Sequence, residues 1–171
     1  TVPAYADLDI DTVNAVLDMM RVIATIDDLV LPTDPLLGDA IMALTDIISA
    51  PYPGHSVIPT LCRVTYDRRL LPGETVAAVL DVITGQPSLQ GIELRAQIAQ
   101  GEHHAYTGKV LHAQKFFPAW VFPEDHAFVR GALQGLQTSG LQPKVSAYRF
   151  CTNGAYSAGI AGVPTIGFGP A

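Results

Sequence analysis

The stretch that decides the fold is LCRVTYDRRLLPGETVAAVLDVITG, Leu61 to Gly85. From Leu61 to Asp67 it alternates Cys62, Val64 and Tyr66 against Arg63, Thr65 and Asp67, the pattern of a strand with one wet face. Pro72-Gly73-Glu74 then opens an amphipathic helix carrying Val76, Val79, Leu80 and Ile83, stopped by Gly85 with Pro87 beyond it. Downstream, Ile92, Leu94, Ala96 and Ile98 alternate with polar neighbours and predict another strand. Upstream, Ile41–Ile48 predicts a mostly buried strand closed by the turn Pro51-Tyr-Pro-Gly54. Before it, Val13, Val16, Leu17, Met20, Ile23 and Ala24 recur at helical spacing, predicting a helix over Asp11–Asp28 capped by Asp11 or Thr12.

The order is therefore helix, strand, strand, helix, strand. One strand in front would complete βαββαβ, a split-βαβ (ferredoxin-like) sandwich of the α+β class. That strand would be central, and its loss would leave two backbone edges unpaired inside a sheet. Residues 2–10 make a poor candidate for it, which leads to the expectation that the natural chain begins earlier.

Composition narrows the function. The chain has 171 residues and a formal net charge of −6, with its cations scattered singly. Neither nucleic acid nor an anionic membrane surface is an expected partner, since both call for clustered cations. No run approaches the ~18 apolar residues of a membrane span, and the first residues lack the regions of a secretory signal. The 2 cysteines, Cys62 and Cys151, sit in strand-like apolar settings, which predicts buried, reduced thiols and a cytoplasmic protein.

The texture changes near Glu102. HHAYTGKVLHAQKFFPAWVFPEDH shows no clear period, and a third helix is predicted over Glu124–Ser139 with Gly140 as its cap. Val145–Cys151 and Val163–Phe168 read as strands of an α/β layer, on either side of a glycine-rich run. That run lacks the spacing of a phosphate loop, so its glycines serve either a structural or a ligand loop. His103 and His104 would face opposite sides of a strand, and no histidine pair has HxH, HxxxH or HExxH spacing. Asp67-Arg68-Arg69 ends a strand with its arginines on opposite faces, so one can be structural while the other offers a fork to a carboxylate.

Three stretches together carry a resemblance: SVIPTLCRVTYDRRLLPGETVAAVL (Ser56–Leu80), FFPAWVFPEDHAFVRGAL (Phe116–Leu133) and YRFCTNGAYSAGIAGVPTIGFGP (Tyr148–Pro170). In this order they resemble the dizinc metallohydrolases that include acetylornithine deacetylase, succinyl-diaminopimelate desuccinylase, aminoacylase and carboxypeptidase G. The likeness is strongest to the deacetylase-like peptidase members. It implies a lid and dimerisation domain over 1–100, lacking its first strand, and the C-terminal part of an α/β zinc-hydrolase catalytic domain over 101–171. It further implies a homodimer formed through the lid, and a small N-acyl amino acid or peptide as substrate. Two zinc ions, or cobalt, would serve the complete enzyme.

By the same resemblance, Ser56 and Arg69 fall where the family holds the substrate carboxylate across the dimer. Many members have asparagine at the position of Ser56. Thr152, Asn153 and Gly154 fall on the loop lining the carboxylate and the zinc-side pocket. No catalytic residue or metal ligand of the family falls on this segment, which implies a part that binds and assembles. The rival reading is a non-catalytic dimerisation or ligand-binding module on the same split-βαβ fold.

Overall fold

A computed structural model describes residues 13–169. The expected caps Asp11 and Thr12, and residues 2–10, lie outside the described residues. Helix α1, Ala15–Asp27, is capped by Asn14, whose side chain accepts from the Val16 and Leu17 amides at 3.1 and 3.3 Å. Its Val22 and Ile26, one turn apart, bury against Leu89, and Met42, Tyr66, Ile83 and Leu94 close around them. Two short antiparallel pieces follow, β1 (Thr33–Asp34) and β2 (Gly38–Asp39).

The centre of the first half is a hairpin of β3 (Ile41–Ala50) and β4 (Leu61–Arg69), and α1 lies against β4. Register runs from Ile41↔Arg69 at one end to Ala50↔Leu61 at the other. A bulge between Leu44 and Asp46 leaves Thr45 to bond the Thr65 carbonyl through its hydroxyl at 3.1 Å. The bulge keeps Leu44 opposite Tyr66 and Ile47 opposite Val64, so the apolar face is preserved across the irregularity. As the alternation predicts, Cys62 is buried and Val64, Tyr66 and Arg68 are half-buried, while Arg63, Thr65 and Asp67 are exposed.

Helix α2, Val76–Thr84, is capped by Thr75 and buries Val79. A 3-10 turn at Pro87–Leu89 then sends Leu89 into the α1 core.

The second half begins with a hairpin, β5 (Gln100–His104) and β6 (Val110–Gln114), turning at Ala105–Gly108. Helix α3, Ala127–Thr138, is capped at its start by His126 Nδ1, which accepts from the Phe128 amide at 3.2 Å. It stops at Gly140, which takes the left-handed φ of 81°. The Gly140 amide reaches the Gln137 carbonyl and the Leu141 amide reaches that of Leu136. This paired closure favours glycine at that position. A single turn, α4, spans Gly154–Ser157.

Several expectations need correction. The strand expected at 41–48 forms, but most of its positions are exposed, because it is one strand of a two-stranded sheet whose outer face nothing covers among the described residues. Residues 92–98 keep the alternating burial of a strand yet join no ladder, since no backbone partner lies beside them among the described residues. The paired strands form three separate two-stranded sheets, so a single split-βαβ sheet is not completed among the described residues.

In the second half, Val145–Cys151 and Val163–Phe168 are irregular and largely exposed, again without ladder partners among the described residues. The third helix starts at Ala127, three residues late, because the Pro123–His126 turn precedes it. Cys62 is buried, but Cys151 is exposed, so only one of the two thiols is sheltered.

Burial pushes the Cys62 thiol above its ordinary pKa and so keeps it protonated. Tyr66 is raised as well, first by desolvation and then by the negative charge of Asp27. The buried Tyr66 hydroxyl has no hydrogen-bond partner among the described residues. The folded state therefore holds this proton more tightly than the unfolded chain. That contribution to stability is complete below the ordinary tyrosine pKa of about 10 and is lost as pH rises through the raised value. Tyr66→Phe is expected to flatten the alkaline end of a stability–pH curve at a neutral-pH change under about 1 kcal/mol, as read by urea unfolding. A variant curve falling as steeply as the parent's would contradict this.

Candidate functional site

The residues singled out by sequence fall in two places. Ser56 sits exposed in the loop joining β3 to β4 with φ at 55°, the left-handed region. Asparagine tolerates that region better than serine does, because its short amide can bond its own backbone. Arg69 closes β4, its guanidinium 3.1 Å from Asp67 Oδ2 and its side chain 43% exposed. The two stand at opposite ends of one hairpin. The strand between the loop and Arg69, Leu61 to Arg69, is eight residue steps of about 3.3 Å, or roughly 26 Å long. Within one protomer Ser56 lies in the loop at one end of the hairpin and Arg69 closes the strand at the other.

The neighbouring arginine has a different setting. Arg68 points inward with Tyr66, where a guanidinium needs a partner. It finds one in Glu74, across the Leu71–Glu74 turn, with side-chain exposures of only 9% and 15%. The other Glu74 oxygen accepts from the Leu71 amide at 2.8 Å. Glu74 thus ties the end of β4 to the approach of α2, and Arg68 is committed to structure. Arg69 is the one whose fork faces solvent.

Thr152, Asn153 and Gly154 lie together where the chain enters α4. Thr152 Oγ1 accepts from the Gly154 amide at 3.1 Å, and Asn153 stands at the helix start without capping it through its side chain. Gly154 is buried under the indole of Trp120, which would overlap any Cβ placed there. Trp120 is in turn fixed by donating to the Thr165 carbonyl at 2.9 Å, and Thr165 donates to Ser157 Oγ at 2.8 Å. Thr152 and Trp120 border an open cleft of about 430 Å³ with Tyr148, Phe150, Ile166 and Phe168. Gly154→Ala is expected to cost about 1–3 kcal/mol through this overlap and to red-shift the Trp120 emission. Unchanged stability and emission would show that the indole does not rest on Gly154.

Sequence reasoning missed three features. Trp120 as the wall of the Gly154 loop had no spacing signal, since it acts across thirty-odd residues that include α3. The Arg68–Glu74 pair was legible in part: an arginine at an inward position of the alternation calls for a nearby carboxylate. The third is a cluster on the β5–β6 hairpin, where Glu102 is directly opposite His112 and two residues from His104. Among the described residues, no three or more His, Cys, Asp or Glu side chains stand around a common point in the way a bound metal requires.

Comparison with known proteins fits this division. Residues 10–88 match the M20 dimer family model, the peptidase dimerisation domain. The chain is 32% identical over 162 residues to the uncharacterized protein YgeY of Escherichia coli K12, and equally to that of Escherichia coli O157:H7. The alignment covers 92% of this chain but 40% of each relative, so the chain spans well under half of their length. No solved structure matches it significantly. Residues 10–88 are thus similar to a peptidase dimerisation domain, and the chain is similar to part of the YgeY proteins.

Proposed function

We propose that the chain is the dimerisation and substrate-gripping part of a metal-dependent amidohydrolase or peptidase acting on N-acyl amino acids or small peptides. The observation that carries this reading is the placement of Ser56 and Arg69 at opposite ends of the β3–β4 hairpin. A carboxylate can meet both only if a second protomer supplies one of them, and a dimerisation domain brings such a protomer. Arg69 offers the bidentate fork that suits a carboxylate, and its tie to Asp67 is a surface pair worth little to break.

In this reading residues 1–100 form the lid, a split-βαβ sandwich in which 92–98 is the last strand. Another strand lies between it and the free edge of β4. The exposed Ile41, Ile47 and Ile48 of β3 are then covered in the assembly, as exposed apolar surface on an edge strand calls for. Residues 101–171 belong to the catalytic domain, where Thr152, Asn153 and Gly154 line the carboxylate end of the pocket. Bond cleavage, with two zinc or cobalt ions, is the work of residues outside the described ones. No helix among the described residues is long and apolar enough to cross a membrane, and we place the enzyme in the cytoplasm.

The test is hydrolysis of a panel of N-acetyl amino acids and dipeptides by the full-length, zinc- or cobalt-supplemented protein. Turnover of substrates bearing a free carboxylate is expected. A metallated dimer that turns over none of them would leave the non-catalytic module as the better reading.

A further inference from the structure

Arg69 on the β3–β4 hairpin and the Thr152–Gly154 loop at the start of α4 are far apart in sequence, yet one side chain joins their surroundings. Arg149 stands three residues before Thr152, and its guanidinium occupies the space that a Cβ on Gly38 would fill, with Nη2 and Cζ as the nearest atoms. Gly38, in β2, takes the left-handed φ of 76° and stands three residues before Ile41, the register partner of Arg69. Within one protomer the contact therefore links the Arg69 end of the hairpin to the segment that enters the Thr152–Gly154 loop.

The β1–β2 turn gives the guanidinium a well-bonded seat. Asp34 Oδ1 accepts from the Leu36 and Leu37 amides, each at 2.8 Å, and Asp39 accepts from the Thr33 hydroxyl at 2.7 Å. The Ala40 amide donates to the Pro32 carbonyl at 2.9 Å. Both carboxylates of the turn are thus engaged locally, and Arg149 forms no ion pair among the described residues. Packing against bare backbone holds it there, and glycine is what leaves the space open.

From this placement we propose that Arg149 is a positioning residue for the carboxylate grip, setting the Thr152–Gly154 loop against the Arg69 end of the hairpin. The inference rests on the substrate-gripping reading above and adds a residue that need not touch the substrate. Hydrogen bonds weaken steeply away from their preferred geometry, so a small displacement of the loop relative to Arg69 is enough to weaken the grip.

The test uses the full-length, metal-loaded protein with an N-acetyl amino acid and its primary amide. Arg149→Ala is expected to raise KM for the free carboxylate about three- to tenfold, with kcat within about twofold and the amide substrate unaffected. The double variant Arg69→Ala with Arg149→Ala should be no worse than Arg69→Ala alone, because nothing is left to position. Arg149→Lys should restore only part of the loss, since an ammonium lacks the planar guanidinium. Losses that multiply in the double variant, or that fall equally on both substrates, would overturn the proposal and leave the Arg69 grip standing. Hydrogen exchange reads the same contact without turnover: Arg149→Ala should speed exchange several-fold at the Leu36 and Leu37 amides and at that of Gly154. Faster exchange on one side only, or on neither, would also overturn it. A parent protein that hydrolyses neither substrate would bring down the gripping reading and the positioning role together.

Discussion

Replacing Arg68 by alanine is expected to cost the fold about 3–5 kcal/mol, the usual consequence of leaving one partner of a buried ion pair unpaired. The partner left behind is Glu74, whose side chain is only 15% exposed and whose second oxygen holds the Leu71 amide. Glu74→Gln should also be destabilising, because its one amide oxygen can serve Leu71 or Arg68 but not both, and the Arg68 guanidinium is left buried without its counter-charge. The pair Arg68→Met with Glu74→Gln should recover much of the loss, since it removes both charges and keeps the volume. Urea unfolding of the four proteins measures these differences. If Arg68→Ala unfolds within about 0.5 kcal/mol of the parent, the pair is not structural.

Arg69→Ala is expected to behave in the opposite way. Its side chain is 43% exposed and its only ion pair among the described residues is with the exposed Asp67. Stability should change by less than about 0.5 kcal/mol. Binding should suffer, because a charge-assisted hydrogen bond to a carboxylate is worth about 1.5–3 kcal/mol, or roughly ten- to a hundredfold in KM. Arg69→Lys should restore only part of it, since an ammonium keeps the charge but loses the fork. Steady-state kinetics beside an unfolding curve separates the two arginines. A large stability loss with unchanged KM would reverse their roles.

The contrast between these neighbours shows how far the sequence could be read. Strand alternation from Cys62 to Asp67 put the two arginines on opposite faces. The DRR run could not say which was committed, because the partner of Arg68 arrives only after the turn at Leu71–Glu74. The helices were legible because their periodicity and caps are local, apart from ends moved by Asn14 and by the Pro123–His126 turn. The strands at 92–98, 145–151 and 163–168 were legible as patterns but not as ladders. A ladder depends on a second backbone, which alternation cannot supply.

The β5–β6 hairpin went unread because its strands, QGEHH and VLHAQ, carry a single β-branched residue, Val110. Of the site, the Thr152–Gly154 loop came from resemblance. The Trp120 wall that makes glycine necessary at 154 emerged only in three dimensions.

The most direct test of the account pairs one change in the protein with one in the substrate. An N-acetyl amino acid and its primary amide, which lacks the carboxylate, are each hydrolysed by the full-length metallated enzyme and by its Arg69→Ala variant. The account predicts that the parent strongly favours the free carboxylate. It also predicts that the variant loses most of that preference, a coupling of at least tenfold in kcat/KM between Arg69 and the carboxylate. A preference that survives intact in Arg69→Ala would contradict the central claim that this residue grips the substrate.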